Sequence, residues 1–119
     1  VRVNALAPTA GTRMTEGLIP EKAFDLLTPE TVTPAVLYLV GEDAPNKTIL
    51  CAGAGAYAVA KIVETDGAWL SPEEQTPEGI AAHWAAITDP EGEKVPQAGF
   101  EQTIKFTAKA AKGLGVSLD

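Results

Sequence analysis

The feature that most constrains the fold is a pair of short strand-like segments separated by about forty residues of helical pattern. In the first segment, VRVNALA at residues 1–7, every second residue is apolar and lies on one face, and Pro8, which stops a strand, follows it. The second, TILCA at residues 48–52, is apolar on both faces, as in a strand covered on both sides. Two strands joined by a helical crossover of this length pair in parallel, with a right-handed connection. The sequence therefore predicts an α/β fold.

Helix signals fill the connection between the two segments. Pro20 precedes a first helix, and Thr28-Pro29-Glu30 combines an N-cap hydroxyl, a first-position proline and an acid at the start of a second. Pro34 should kink or restart the second helix because it lacks an N–H group, and Gly41 should end it. The expected apolar faces are Ala23, Phe24 and Leu27 in the first helix, and Val32, Val36, Leu39 and Val40 as a buried stripe in the second.

The residues after the second strand give weaker signals. The run YAVAKIVET at residues 57–65 favours a strand, with Asp66-Gly67 as a hairpin turn, and a short helix over residues 56–62 is the alternative. A capping-box spacing at Ser71–Glu74 and a second helix start at Thr76-Pro77 follow. A polar linker covers residues 89–97. The predicted apolar faces of the last two helices are Ile80, Trp84 and Ile87, and then Phe100, Ile104, Ala108 and Ala111, with Gly113 and Gly115 ending the last helix.

Charge and composition exclude several classes of function. The net charge is −7, and the 9 Lys and Arg residues are scattered, which argues against nucleic acid and against anionic membrane surfaces as partners. No apolar run approaches the roughly 20 residues that span a bilayer. The single cysteine, Cys51, forms no disulfide framework, so we expect a reducing, cytoplasmic location. The first residue is Val1, and we expect a piece of a longer protein, with a processed precursor or a removed tag as the alternative.

The first candidate site is the loop after the first strand, residues 8–15. In open α/β sheets ligands bind beyond the carboxyl ends of the strands. Gly11 allows a close backbone approach, Arg13 supplies a cation, and the hydroxyls come from Thr9, Thr12 and Thr15. An ordinary connection between a strand and a helix would have the same composition, so this alternative stays open.

The second candidate is GAGAYA at residues 53–58, which matches the G-x-G-x-x-A form of the dinucleotide-binding fingerprint. That fingerprint requires a helix that opens at its second glycine, so that the N-terminus faces the pyrophosphate. Because residues 61–65 favour a strand, we interpret the glycines as a close-packed turn. His83, the single histidine, has no partner nucleophile in the sequence, and we predict a surface or capping role for it. We predict no metal site, because one His and one Cys cannot supply the usual nitrogen and sulfur ligands of zinc.

Three segments together resemble the C-terminal part of the short-chain dehydrogenase/reductase family. VRVNALAPTAGTRMTEGLIPE is similar to its sixth strand and following loop, with N-x-x-x-P; LTPETVTPAVLYLVGEDAP is similar to its last helix; and TILCAGAGAY is similar to its seventh strand and terminal glycines. The resemblance is greatest to the 3-hydroxyacyl-CoA dehydrogenase domains of peroxisomal multifunctional enzyme type 2, whose tail carries T-P-E-x-x-x-x-x-W, here Thr76 to Trp84. It covers about residues 1–88.

The resemblance implies the last two strands of a Rossmann-type, doubly wound parallel sheet over residues 1–70 and a helical extension over residues 71–119. It also implies NAD or NADP as cofactor and hydride transfer at a hydroxyl or carbonyl group, with a fatty-acyl thioester such as 3-hydroxyacyl-CoA as the expected substrate. The implied cofactor contacts are Pro8, Thr9, Gly11 and Thr12, and the implied apolar wall of a mobile substrate lid is Met14, Leu18, Ile19 and Phe24. Many members have P-G where this chain has Pro8-Thr9, which puts the contact of Thr9 in question.

The family's glycine-rich loop and its Ser and Tyr-x-x-x-Lys catalytic set precede the sixth strand. Tyr57 and Lys61 have the Tyr–Lys spacing, but they follow the last strand, so we interpret the match as a coincidence; a helical pair remains testable. We expect the chain alone to be inactive. An unpaired strand edge predicts that the chain oligomerises, swaps domains or stays bound to a missing N-terminal part, and the resemblance implies a homodimer interface over residues 29–52. The alternative function is a self-sufficient oligomerisation or ligand-binding module, which would bind a ligand or partner without any further chain.

Overall fold

A computed structural model describes all residues, 1–119, and divides them into two compact units, Val1–Lys61 and Ile62–Asp119. The first unit contains a three-stranded sheet with strands β1 (Ala5–Pro8), β2 (Ile49–Gly53) and β3 (Ala56–Ala60), together with helices α1 (Glu21–Leu26) and α2 (Thr33–Val40). The second unit contains helices α3 (Pro77–Ala82), α4 (Trp84–Ile87) and α5 (Phe100–Leu114). Short 3₁₀ turns lie at Pro29–Thr31 and Pro72–Glu74. No helix is both long enough and apolar enough to cross a membrane.

Strands β1 and β2 are parallel neighbours, in a register that runs from Ala5 opposite Ile49 to Pro8 opposite Ala52. The predicted parallel pair is confirmed. The first strand begins at Ala5, later than predicted, because the preceding residues bind the loop before β2 with side chains as well as backbone. Val3 N–H donates to Asn46 Oδ1 (2.8 Å), and the Asn4 side chain donates to the carbonyl of Pro45 (2.8 Å).

The sheet is mixed, because β3 runs antiparallel to β2. The hairpin turn lies at Ala54 and Gly55, which both have positive φ (52° and 79°), as the two central residues of a tight hairpin require. The strand predicted over residues 57–65 is confirmed as far as Ala60, and the alternative helix over residues 56–62 does not form. No strand flanks Asp66-Gly67, so the predicted hairpin turn there is wrong. Pairing ends at Ala60 because its partner, Ile49, is the first residue of β2.

The core of the first unit lies where α2 and the preceding 3₁₀ turn meet one face of the sheet. Val32, Ala35 and Ala52 are buried there, with Leu6 and Leu50 packed against them. Pro34 is the second residue of α2, so it restarts the helix, as predicted. The expected buried stripe is wrong at Val36 and Val40, which are 42% and 77% exposed. The helix contacts the sheet through Val32 and Ala35, spaced i and i+3, and this leaves the Val36–Val40 row outside.

In the second unit, the predicted single helix over Ile80, Trp84 and Ile87 is divided at His83, whose backbone (φ −101°, ψ 11°) leaves the helical region. His83 ends α3, and its partly exposed ring lies with Nε2 2.8 Å from Glu74 Oε2, so the surface role is confirmed, while the side chain makes no capping bond. The Thr76 hydroxyl caps α3 by accepting from Gly79 N–H (3.0 Å). Ser71 makes no such bond, so the predicted capping box does not form, and residues 72–74 are a 3₁₀ turn.

Candidate functional site

The candidate site lies at the carboxyl edge of β1 and β2. Because these strands are parallel, Pro8 and Ala52 end side by side, and the loop after β1 meets the glycines after β2. Thr9 N–H donates to the carbonyl of Ala52 (2.8 Å), which extends the ladder by one residue. A methyl group on Gly53 would lie 3.0 Å from the carbonyl oxygen of Thr9, so the two segments are in direct contact. The chain thus forms one edge from segments about forty residues apart.

The loop is held by its own backbone and by Thr15. Gly11 N–H donates to the carbonyl of Leu27 (2.5 Å), and a Cβ on Gly11 would lie 3.2 Å from the ring of Phe24, so only glycine allows this approach. The Thr15 hydroxyl accepts from Thr12 N–H (2.9 Å) and lies within 3.2 Å of the Ala10 carbonyl. The amide of Thr12 therefore already has a partner inside the loop, and the amide of Gly11 has one at the end of α1. Any ligand here would meet the exposed side chains of Thr9 and Thr12 instead.

The remaining predicted cofactor and lid residues are either exposed or half-buried. Pro8 is exposed at the end of β1, while Ile19 and Phe24 are half-buried. Met14 and Leu18 are 87% and 81% exposed. The structure thus brings Phe24 against the loop, whereas Met14 and Leu18 present apolar surface to solvent.

A shallow groove borders this edge. Its wall comprises Thr9, Leu27, Cys51, Gly53, Tyr57 and Ala58. Sequence reasoning missed Leu27, Cys51 and Tyr57 as wall residues. Strand alternation could have placed Cys51 and Gly53 on one face, but the position of Leu27 depends on the loop's hydrogen bond to it.

The structure explains the two motif matches, the glycine fingerprint at residues 53–58 and the Tyr-x-x-x-Lys spacing at Tyr57. Gly53 and Gly55 lead into strand β3, where a dinucleotide fingerprint needs a helix, so the interpretation as a close-packed turn is confirmed. Tyr57 lies on β3, and its hydroxyl donates to the carbonyl of Thr31 (2.7 Å). A strand rises about 3.3 Å per residue, which separates Tyr57 and Lys61 by roughly 13 Å along the chain. The Tyr-x-x-x-Lys match therefore does not form a helical Tyr–Lys pair.

These features define a mixed α/β protein with a glycine-lined edge beyond two parallel strands, and the chain is similar to known proteins. The chain is 39% identical over 102 residues, 85% of its length, to a short-chain type dehydrogenase/reductase of Mycobacterium tuberculosis. It is 36% identical over 106 residues, 87% of its length, to mouse peroxisomal multifunctional enzyme type 2. The full-length peroxisomal multifunctional enzyme type 2 of Drosophila melanogaster superposes on 96% of the chain with a TM-score of 0.71 and 25% identity.

The chain is therefore homologous to part of a short-chain dehydrogenase/reductase and to part of peroxisomal multifunctional enzyme type 2, as its motifs predicted. No family model matches the chain. The chain spans 35% of the length of the mycobacterial relative and 14% of the mouse enzyme. It spans 21% of the Drosophila enzyme.

Proposed function

We propose that this chain is the C-terminal part of an NAD(P)-dependent oxidoreductase of the short-chain dehydrogenase/reductase type, acting on a hydroxyl or carbonyl substrate. The observation that carries the proposal is the edge formed by residues 8–15 and Gly53 in a chain homologous over 85% of its length to a short-chain type dehydrogenase/reductase. In this proposal the chain supplies the loop beside the nicotinamide, a substrate lid and a dimer face.

The edge residues would contact a nicotinamide cofactor through side chains rather than through the loop amides that are already bonded. Pro8 and the hydroxyl-bearing Thr9 and Thr12 are exposed, whereas the amides of Gly11 and Thr12 already donate within the chain. The hydroxyls and the exposed Pro8 would therefore contact the cofactor, and Gly11 would keep the loop close to Phe24. When bound, the nicotinamide ring accepts or donates the hydride, and the chain's own residues orient it.

The lid would be formed by residues 14–27. Met14 and Leu18 offer exposed apolar surface, and Ile19 and Phe24 are half-buried behind it. Apolar side chains of this kind suit a fatty-acyl chain, which agrees with 3-hydroxyacyl-CoA as the substrate. A lid that presents unburied apolar residues gains stability when an apolar ligand covers them.

The chain alone would be inactive, because Tyr57 lies in the extended β3 and Lys61 follows its last residue, which leaves the two too far apart to form a helical Tyr–Lys pair. The proposed dimer face, residues 29–52, has the exposed apolar side chains that such a role requires. Leu37, Tyr38 and Val40 on α2 are 64%, 52% and 77% exposed. Covering them in a homodimer would remove apolar surface from water.

Calorimetry with NAD and with NADP tests this function. We expect no measurable binding to the 119-residue chain and clear binding to a protein in which a glycine-rich N-terminal half of a short-chain dehydrogenase precedes it. Thr9→Val and Thr12→Val in that longer protein should weaken binding, while Thr88→Val, far along the chain in α4's C-terminal cap, should not. Binding of either nucleotide by the isolated chain would contradict the proposal and favour a self-sufficient ligand-binding module.

A further inference from the structure

Helix α5 contacts the rest of its unit through its polar side. Gln102, Lys105 and Lys109 are spaced i, i+3 and i+7, so they lie on one side of the helix. Gln102 Nε2 donates to Glu64 Oε2 (2.7 Å), and Lys105 pairs with the same carboxylate and donates to the carbonyl of Thr65 (2.8 Å). Lys109 Nζ lies 2.8 Å from Asp66 Oδ2. We call these contacts between residues 64–66 and α5 the polar seam.

Burial of apolar surface does little to hold α5. Phe100 and Ile104, which were expected on a buried face, are 78% and 66% exposed, so the prediction is wrong for them, whereas it is confirmed for Ala111, which is buried. Ala111 is the one buried residue in the second unit. Gly113, inside α5, lies so close to Trp69 that any larger residue would overlap its ring. One alanine and one glycine contact remove little apolar area from water compared with the large side chains left outside.

The seam is made of charges that remain near solvent. The side chains of Lys105 and Glu64 are 24% and 27% exposed, and those of Lys109 and Asp66 are 27% and 56% exposed. Glu64 faces Lys105 and Gln102, while Asp66 faces Lys109, Lys105 and Lys94. Hydrogen bonds from Lys105 and then Gln102 lower the pKa of Glu64, and the hydrogen bond and charge of Lys109 lower the pKa of Asp66, with a smaller contribution from Lys105 and Lys94. Attraction between charges this exposed weakens as salt concentration rises.

We propose that the polar seam is an electrostatic latch: α5 leaves residues 64–66 as a unit when the charges are screened, while residues 1–61 stay folded. Release uncovers Trp69 and frees the helix, whose large apolar residues are already outside. This inference is independent of the oxidoreductase function, because it rests on contacts within residues 62–119 alone.

Hydrogen exchange of the whole chain tests the latch at about 0.01 M and about 1 M sodium chloride, between which the Debye length falls from roughly 30 Å to roughly 3 Å. We expect the exchange protection of α5 to fall roughly fivefold at high salt. The protection of α2, which contains no charged residue, should stay constant. Asp66→Lys alone and Lys109→Asp alone should each reduce protection of α5 at low salt, and the double exchange should restore part of it, because Lys105 and Lys94 also face position 66. Lys112→Gln, on α5 outside the seam, is the matched control and should change nothing.

Three results would overturn the latch. The first is protection of α5 that does not change with salt, or that is absent even at low salt. The second is a loss of exchange protection in α2 as large as the loss in α5, since this would mean that the whole chain is destabilised. The third is a double variant that exchanges as fast as the single variants, because opposite charges would then have no specific role.

Discussion

Gly53 and Thr9 are in contact at the carboxyl edge of the sheet: a methyl group on Gly53 would lie 3.0 Å from the Thr9 carbonyl oxygen and 3.1 Å from its Cβ. The same Thr9 is bonded through its N–H to Ala52, so it cannot move away without breaking the ladder. The glycine after β2 therefore determines how closely the loop after β1 can approach. This makes Gly53 a packing residue of the candidate site.

Gly53→Ala should destabilise the chain by about 1–3 kcal/mol, the usual cost of an added methyl group in a tight contact. Chemical denaturation followed by circular dichroism measures the free energy of unfolding. Gly99→Ala is the control, because no atom lies within 4 Å of a Cβ there and its φ of −63° suits alanine. Equal effects of the two substitutions would contradict the packing role of Gly53.

Asn4→Ala should destabilise the chain by about 1–3 kcal/mol, because it leaves two partners without their hydrogen bonds. Asn4 Nδ2 donates to the carbonyl of Pro45 (2.8 Å), and its Oδ1 accepts from Thr48 N–H (3.1 Å). These bonds join the start of β1 to the loop before β2. Asn46→Ala is the control and should cost less, because the Val3 N–H that it leaves is exposed and can bind water. A larger loss for Asn46→Ala, by the same denaturation measurement, would count against this explanation.

Leu37→Glu should abolish the proposed homodimer, because it places a charge in an apolar interface. Size-exclusion chromatography with light scattering reports the molar mass in solution. Leu26→Glu is the matched control: Leu26, on α1 and outside residues 29–52, is 68% exposed against 64% for Leu37. A wild-type chain that is a stable monomer would refute the dimer face, and so would a Leu37→Glu variant that remains dimeric.

The polar seam should weaken in acid. The pKa values of Glu64 and Asp66 lie below their ordinary values of 4.5 and 3.8, so both groups bind protons more tightly in the unfolded chain. Their stabilisation is complete above about pH 4.5 and is lost as the pH falls below 3.8 through the lowered values. An NMR titration of the Asp66 carboxyl group should show its pKa rising in Lys109→Gln and staying constant in Lys112→Gln. An unchanged pKa in Lys109→Gln would show that Lys109 is not the cause.

Several elements could be predicted because their causes are local. Pro34 lacks an N–H group wherever it lies, so the restart of α2 is independent of the rest of the chain. The Thr76 hydroxyl caps the helix that begins beside it. The errors lie where one segment needed a distant partner. The hairpin turn forms at Ala54-Gly55 instead of Asp66-Gly67, because five residues of β2 pair with β3 directly after it. A turn signal in the sequence does not show which strand is available for pairing.

The sequence by itself determined the parallel pairing of β1 and β2 and the family resemblance, because strand spacing, crossover length and short motifs are properties of the chain order. Only the tertiary structure decided that the amides of Gly11 and Thr12 are already bonded, that Leu27 borders the site, and that α5 docks by its lysines with Phe100 and Ile104 outside. Amphipathic periodicity shows that a helix has two faces. Which face contacts the protein depends on the charges it meets, here those of Glu64 and Asp66.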